Sequence, residues 1–311
     1  MQVVSDLAAL RQRPFPRIIC GVGVFDGVHL GHQAILRGVV ADARAAGTAA
    51  VFTFLNHPLT VLAPSRAPRL ITPPPLKARI LEEHGIALNI AVPFTPALAA
   101  LSAETFVREV LAGQVGVRGI HVGDDFRFGR DREGTPEELV RLGVALGFMV
   151  TVVPEVAVGG TPVHSTLIRE LLHQGKLREA QTLLGRPYLI LGTIQAGAGR
   201  GKALGFPTAN LDGADVLVPD GIYAGRARAG GPWRKAVMSV GVAPTFGGTR
   251  RWLEVHFLPP FSEAIGPGVE LTVALLHRIR DEIRFPDAAA LVAQMRQDVA
   301  FAERLLGAEE G

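Results

Sequence analysis

The segment GVFDGVHLGH, residues 23–32, contains the glycines and histidines from which a phosphate site can be built. It follows an apolar run and precedes helix-forming residues, so the backbone N–H groups of a helix start would face an anion there. Gly27 and Gly31 permit close approach of the backbone. His29 and His32 are predicted to be neighbours on the first helical turn, where both can donate hydrogen bonds to phosphate oxygens. This arrangement favours attack on an α-phosphate, with stabilisation of the developing charge and of departing pyrophosphate.

Two simpler interpretations of the histidine pair stay open, a helix cap and a metal site. Zinc-binding helices usually place two histidines about four residues apart, and the sequence offers no third ligand nearby. The position of the pair, after a strand and at the start of a helix, favours phosphate over both.

The segment VHSTLIR, residues 163–169, places two hydroxyls at a predicted helix start and a cation one turn later. Ser165 and Thr166 are the hydroxyls, and Arg169 is the cation. Taken alone, the segment is more simply an N-cap followed by a surface arginine.

The segment VGDDFRFG, residues 122–129, follows a predicted strand at the edge of the sheet where ligands collect in such folds. Asp125 could hold a ribose hydroxyl, and Phe128 could pack on a flat ring. Two phenylalanines in a turn are equally compatible with ordinary core packing.

A second glycine-rich segment, GAGRGKALGFPTAN at residues 197–210, contains two cations and suits a flap over phosphates. It is not a P-loop, because the Gly-Lys-Ser/Thr sequence is missing; a long hairpin loop is the alternative. Pro207 fixes the backbone ahead of Thr208 and Asn210, whose oxygens, at alternate positions of an extended segment, face the same way. Such oxygens suit magnesium bound to nucleotide phosphates.

A carboxylate stands in the alternating strand WLEVHF, residues 252–257. The alternation puts Glu254 on one side together with Trp252 and His256. A carboxylate inside a barrel mouth could accept a proton from an attacking alcohol. An exposed strand glutamate is the simpler interpretation.

These segments lie in two regions with different patterns of apolar and β-forming residues. Before residue 185, apolar strand runs alternate with helical patterns, which predicts an α/β domain with a parallel doubly wound sheet. After residue 186, short β-forming runs separated by Gly and Pro predict an antiparallel barrel or sandwich, followed by a helix near 287–306. The predicted domains are residues 1–185 and 186–311. The clearest predicted elements are strands at 17–25, 49–54, 88–92, 120–122 and 149–153, and helices at 77–84, 104–111, 136–147, 166–173 and 177–184.

Composition narrows the class of protein. A chain of 311 residues with 48% hydrophobic and 20% charged residues can bury the cores of about two domains. A net charge of +3 and 6% aromatic residues give little material for nucleic-acid binding, so we expect an anionic small-molecule ligand instead. Cys20 is the only cysteine, which excludes intrachain disulfides and multi-cysteine metal sites. Without a signal sequence or a run of about 18 apolar residues, the expected location is the cytoplasm and not a membrane.

The chain resembles the bifunctional bacterial riboflavin kinase/FMN adenylyltransferase family, also called FAD synthetases. The His-x-Gly-His segment alone is similar to a wider nucleotidyltransferase superfamily, whereas GFPTAN after LLGRPY is specific to the family. Seven further segments occur in order over nearly all of the chain. They are VGDDFRFG, HSTLIR, PDGIYAG, APTF, LEVHF, LHRIRDEIRF and the LGTI that follows LLGRPY.

The resemblance implies a Rossmann-like nucleotidyltransferase domain followed by a β-barrel riboflavin kinase domain with a C-terminal helix. The second domain would phosphorylate riboflavin to FMN with Mg²⁺-ATP, and the first would adenylylate FMN to FAD and release pyrophosphate. Substrates would be small molecules, with no nucleic acid or membrane partner, and a homo-oligomer would be compatible with the family.

The resemblance also implies roles for individual residues. Those implied to be catalytic are His29, His32, Arg169 and Glu254. Those implied to bind ATP are Gly23, Phe25, Asp26, Gly27, Gly31, Asp125, Ser165, Thr166, Gly199, Lys202, Gly205 and Pro207. Those implied to contact flavin are Asn56, Phe128 and Tyr223, and those implied to hold magnesium are Thr208 and Asn210.

The sequence departs from the family pattern at four places. Family members usually have Glu-Pro-His-Pro at positions 55–58, where this chain has Leu-Asn-His-Pro, and Ser-Ser-Thr at 164–166, where it has His-Ser-Thr. Lys202 replaces an arginine that would offer a bidentate fork, and the Leu-Tyr-Gly expected near 264–266 is mostly missing. These departures bear on flavin affinity and rate more than on reaction class.

Two other functions stay open from the sequence. One is an adenylyltransferase for another phosphorylated acceptor, with a degenerate second domain. The other is a carrier or sensor of flavin nucleotides that binds without turnover.

Overall fold

A computed structural model describes residues 1–12, 15–44, 47–196, 201, 204–212, 216–242, 251–258 and 266–308. The chain divides into two compact units, Met1–Ser165 and Thr166–Gly311. The domain boundary expected at residue 185 stays a prediction. None of the described helices combines the length and the apolar character needed to cross a bilayer.

The first unit is built on a six-stranded sheet in the order β1-β4-β3-β2-β5-β6, with every neighbouring pair parallel. The predicted parallel α/β sheet is therefore confirmed. Its strands are β1 (Gln2–Val4), β2 (Ile18–Val22), β3 (Thr48–Phe54), β4 (Leu88–Val92), β5 (Val117–Gly123) and β6 (Met149–Val153). All five residues of β2 are buried, as expected for a central strand covered on both faces.

Helices connect these strands. They are α1 (Leu7–Gln12), α2 (Leu30–Ala43), α3 (Leu59–Leu62), α4 (Pro74–Glu83), α5 (Pro96–Ala99), α6 (Ala103–Thr105) and α7 (Pro136–Leu146). Single 3₁₀ turns occupy Pro64–Arg66 and Arg130–Arg132, and a small hairpin is formed by β7 (Ala157–Val158) and β8 (Thr161–Pro162). The helix expected at 104–111 is different in kind: α6 continues directly into a π-helix, Phe106–Val115.

The core of this unit lies around the central strands and includes Cys20, Phe52 and Ile90. Cys20 is fully enclosed, and burial raises the pKa of its thiol to about 12. The thiol therefore stays protonated and acts as a small apolar group.

The second unit is a closed antiparallel barrel in the order β10-β13-β12-β11-β14-β9. Of the two architectures left open by the sequence, the barrel is correct. Its strands are β9 (Tyr188–Gln195), β10 (Ala209–Asp212), β11 (Gly221–Arg228), β12 (Arg234–Val242), β13 (Arg251–Leu258) and β14 (Glu270–Arg280).

Three helices accompany the barrel. They are α8 (Ser165–His173), α9 (Leu177–Leu184) and α10 (Ala288–Gly307). The side chain of Asp287 caps α10 by accepting a hydrogen bond from the backbone N–H of Ala290 at 2.8 Å. Ala302 and Leu306 then pack on the barrel wall, so the predicted C-terminal helix is confirmed.

Candidate active sites

The turn between β2 and α2 has an unusual backbone. Phe25 and Val28 have φ angles of 53° and 41°, and Gly27 has 85°. Residues other than glycine rarely adopt this left-handed backbone region, and here Phe25 and Val28 are both fully buried. The surrounding structure must hold the turn in place, which is common at ligand sites.

Asp26 holds one side of this turn. Its carboxylate accepts hydrogen bonds from the backbone N–H of Ile71 at 2.9 Å and of Thr72 at 3.0 Å. Thr72 Oγ1 in turn accepts from the N–H of Gly27 at 2.8 Å, and Ser165 Oγ donates to the Asp26 carbonyl at 2.9 Å. The predicted ATP contact of Asp26 stays a prediction, but its buried carboxylate supports the turn.

His29 and His32 lie together at the start of α2. His29 is the N-cap residue, and its Nδ1 accepts from the N–H of His32 at 3.4 Å. The two rings stack with centroids 3.6 Å apart and 18° between their planes. The predicted proximity is therefore present, and the capping interpretation is also correct for His29. Among the described residues, no group of three His, Cys, Asp or Glu side chains is placed to hold a metal ion.

Gly31 leaves room for this stack. A Cβ atom at Gly31 would lie 3.2 Å from His29 Nδ1, a tighter contact than side chains normally make. The glycine predicted to allow close backbone approach thus makes room for an imidazole ring.

A cavity of about 440 Å³ opens beside the turn and contains His32 in its wall. Much of the wall is aromatic or aliphatic, including Phe54, Leu59, Phe94, Leu98, Phe106 and Phe128. Gly23 and Phe25, both predicted to bind ATP, border it as well. A space with flat apolar walls and a polar end suits a ligand with an aromatic ring and a charged tail.

The loop after β5 contributes Asp125 and Phe128 to this cavity, where the sequence placed them. Phe128 is 7% exposed and stacks on Phe126 with centroids 5.3 Å apart. An antiparallel bridge between Phe128 and Gly134 closes the loop. Phe128 therefore belongs to the core and borders the cavity, and its packing on a flat ligand ring stays a prediction.

Asn56 lies outside the cavity wall. Its amide exchanges two hydrogen bonds with the backbone of Phe94, at 2.8 and 3.1 Å, and donates to Thr60 Oγ1 at 2.9 Å. The side chain ties two loops together, so the geometry does not support its predicted flavin contact. The next residue, His57, borders the cavity.

Two arginines in the cavity wall were not predicted as site residues. Arg127 and Arg132 both border it and are exposed. Asp131 and Arg132 have φ angles of 55° and 60°, and Gly129, with φ 73°, packs tightly on Ala103. The segment GDDFRFGRDREG contains these arginines, but in the sequence they resemble ordinary surface cations. The turn brings Arg127 and Arg132 to the border of the cavity.

The predicted phosphate residues of α8 lie at the expected positions within that helix. Ser165 is its first residue, Thr166 follows, and Arg169 stands one turn later. Their roles stay predictions.

In the barrel, Asn210 of β10 lies directly opposite Glu254 of β13, and Ser239 of β12 faces Glu254 on its other side. Directly opposite residues project from the same face of a sheet. Leu253 and Val255 are fully buried inside the barrel, so Glu254 projects outward and is exposed. The expectation of a carboxylate inside the barrel mouth is wrong, because the alternation turns Glu254 to the outer wall.

The pKa values of two carboxyl groups at this outer wall are raised. Loss of water contact raises the pKa of Glu254, and the nearby Glu282 carboxylate raises it further. Burial and Asp220 raise the pKa of Glu282, and Arg280 partly opposes them. Glu282 lies over Gly241, where a Cβ would come within 2.5 Å of its Oε1. A carboxyl with a raised pKa is suited to accept a proton.

Five other barrel residues were predicted to bind flavin or ATP, and the structure describes three of them. Tyr223 is fully buried, with its hydroxyl donating to the Pro219 carbonyl at 2.7 Å, so the structure does not place it at a flavin-accessible surface. Gly205 adopts φ 85°, and the Pro207 carbonyl lies 2.9 Å from His256 Nδ1. Gly199 and Lys202 lie outside the described residues.

Comparisons with known proteins match each unit to a separate family model. The model described as FAD synthetase matches residues 12–167, and the model described as riboflavin kinase matches residues 184–306. Among solved structures, one described as the macrolide-efflux protein from Streptococcus pneumoniae superposes with a TM-score of 0.82 at 29% identity, covering 97% of this chain and 98% of that one.

Curated relatives cover almost the whole chain. The Escherichia coli K12 protein named bifunctional riboflavin kinase/FMN adenylyltransferase is 34% identical over 99% of this chain and 98% of its own length. Proteins of the same name from Pseudomonas fluorescens and Bacillus subtilis are 35% and 32% identical, each covering 90% or more of both chains.

Proposed function

The chain belongs to the family of bifunctional riboflavin kinases/FMN adenylyltransferases and carries both activities, and from that premise we propose which residues perform each step. It phosphorylates riboflavin to FMN and joins FMN to an adenylyl group to make FAD. We assign FAD formation to the first unit and riboflavin phosphorylation to the barrel unit.

In the adenylyltransferase step, a phosphate oxygen of FMN attacks the α-phosphorus of ATP. A new oxygen–phosphorus bond forms as the bond to the bridging oxygen breaks, and pyrophosphate leaves with the electron pair. The stacked pair His29 and His32, with the N–H groups that open α2, would neutralise the charge that develops. The observation that carries this assignment is that the stacked pair stands at a helix start and that His32 borders the cavity.

The same cavity would hold FMN. Its apolar walls, including Phe128, would enclose the isoalloxazine ring, and Arg127 and Arg132 would face the phosphate at the polar end. Asp125 would accept a hydrogen bond from a ribose hydroxyl of ATP. Ser165 would bind an ATP phosphate, and the ATP-phosphate roles of Thr166 and Arg169, which belong to the second compact unit, stay predictions from the resemblance.

In the kinase step, Glu254 would accept the proton of the ribityl 5′-hydroxyl while that oxygen attacks the γ-phosphorus of ATP, with ADP leaving. Asn210 stands directly opposite Glu254, which carries the assignment. Hydroxyl and amide oxygens are ligands that magnesium prefers, so Thr208 and Asn210 fit the Mg²⁺ that would shield the phosphate charge. Gly205 and Pro207 would shape the nucleotide loop beside them.

A cytoplasmic location and a homo-oligomeric assembly stay predictions from the sequence and its resemblance. Neither is needed for the residue assignments above.

Two variants test the assignments in one chain. His29→Ala should abolish FAD formation from FMN while riboflavin is still phosphorylated. Glu254→Gln should abolish FMN formation while FMN supplied directly is still converted to FAD. If either variant retains wild-type rates at its assigned step, that assignment fails.

A further inference from the structure

Lys77 is a buried cation beneath the phosphate-facing turn. It lies on α4, is 3% exposed, and was not singled out by the sequence. Its ammonium donates three hydrogen bonds, to the Val24 carbonyl at 3.0 Å, to Thr53 Oγ1 at 3.1 Å and to the Phe54 carbonyl at 3.1 Å. An ammonium has three donors, so this environment uses its full capacity.

The three acceptors belong to the carboxyl ends of two central strands. Val24 follows β2, and Thr53 and Phe54 end β3. Thr53 Oγ1 also donates to the Val24 carbonyl at 2.9 Å, so the ammonium closes a small network between the strand ends. Val24 and Phe54 both border the cavity, which places this network directly behind the cavity wall.

The network supports the end of β2 that leads into the turn. Phe25 and Val28 occupy a backbone region that costs free energy unless neighbouring contacts impose it. Asp26 and Thr72 supply contacts from one side, and Lys77 supplies them from the strand side. The position of His29, one residue beyond Val28, therefore depends on both.

We propose that Lys77 is a positioning residue of the adenylyltransferase: its ammonium fixes the end of β2 and the turn after it, so that His29 and His32 stay aligned with the cavity. This inference rests on the proposed function of the histidine pair. Lys77 would not touch the nucleotide, and it acts through the Val24 and Phe54 carbonyls.

The lowered pKa of Lys77 predicts a pH dependence that can be measured. Burial lowers the pKa of Lys77 to about 8, and the negative charge of Asp26 partly opposes that shift. The titratable groups of the same turn are Asp26, His29 and His32. Above pH 8 the neutral amine loses one donor and the charge that strengthens the others, so the turn should be held less firmly.

The test uses the full chain and measures both activities in each sample. Lys77→Met keeps the length of the side chain but removes the donors, and we expect kcat for FAD formation to fall by about 10- to 100-fold, the equivalent of one to two charge-assisted hydrogen bonds. Riboflavin phosphorylation should be unchanged. Arg79→Met, an exposed position of the same helix, is the matched control and should change neither activity.

The pH profile separates positioning from packing. For the wild type, kcat for FAD formation should decline as the pH rises through about 8, and this decline should be absent in Lys77→Met. Thr53→Val, which removes one acceptor and leaves the cation, should produce a smaller, several-fold loss confined to FAD formation.

Three results would overturn the inference. These are wild-type FAD formation by Lys77→Met, an equal loss of both activities, and an alkaline decline that persists without the lysine. A failure of the proposed function looks different, because His29→Ala would then remain active, whereas a failure of this inference leaves His29→Ala inactive and Lys77→Met active.

Discussion

At the scale of single residues, partial burial raises the pKa of Glu254, and the charge of Glu282 raises it further. Glu254 must be ionised to accept a proton, so FMN formation should fall as the pH drops through its pKa, which is raised from the usual value of a glutamate. Glu282→Gln removes one cause of the shift and should move this acid limb to lower pH. The measurement is kcat for FMN formation against pH.

Both carboxyl groups retain contact with solvent, so the effect of Glu282 should shrink in high salt. FAD formation from FMN in the same samples serves as the control and should not follow the shift. An acid limb that stays in place in Glu282→Gln would show that the two carboxyls do not interact.

A second prediction concerns the arginines of the cavity. Arg132→Gln should raise KM for FMN about tenfold, because one charge-assisted hydrogen bond to phosphate contributes roughly 1.5 kcal/mol. Arg130→Gln, in the same turn but outside the cavity wall, is the control. A rise in KM for ATP alone would assign the arginine to the nucleotide instead.

The residues predicted from the sequence were those whose chemistry shows in local spacing. His29 and His32 lie three positions apart on one helical turn, and the alternation of β13 separates Glu254 from the buried Leu253 and Val255, although it does not show which side faces outward. Lys77 could not be predicted from local spacing, because its acceptors Val24 and Thr53 lie 53 and 24 positions away in the sequence and are brought close to it by the fold. The flavin contact of Tyr223 rested on the resemblance alone, and the structure buries this side chain completely.

At the scale of elements, the close contact between the Gly31 backbone and the His29 ring at the start of α2 limits where that ring can lie. In Gly31→Ala the new methyl group would press on His29, so we expect FAD formation to fall about tenfold while the melting temperature changes little, since the position has no left-handed strain. Thermal unfolding and initial rates check both halves of this prediction. Gly307→Ala, where a Cβ meets nothing within 4 Å, is the control. Unchanged FAD formation would mean that the stack tolerates displacement.

Most elements were predictable because apolar runs and glycine or proline stops mark them. The strands at 88–92 and 149–153 have the predicted bounds, and so does the helix Leu177–Leu184. The hairpin of β7 and β8 was missed, since two-residue strands have no periodicity. Apolar spacing predicted a helix after residue 104 but does not reveal π-type hydrogen bonding.

At the scale of the whole molecule, the boundary between the units leads to a fragment prediction. The barrel unit includes α9, whose Gln181 donates to the Leu275 and Leu276 carbonyls at 3.0 Å each and whose Leu183 and Leu184 are buried. A fragment starting at residue 166 should therefore unfold at higher urea concentration than one starting at 186. Burial of each leucine contributes about 1.5–3 kcal/mol, so the difference should be several kcal/mol. Equal midpoints would place the boundary of the folded kinase at 186.

The most direct test of the central claim is the time course of flavins, separated by chromatography, after the chain is mixed with riboflavin, ATP and magnesium. We predict that FMN forms first and FAD follows, that His29→Ala accumulates FMN alone, and that Glu254→Gln makes FAD only when FMN is supplied. Loss of FMN formation in His29→Ala, failure of Glu254→Gln to convert supplied FMN to FAD, or wild-type kinetics in both variants would contradict the assignment of one step to each unit.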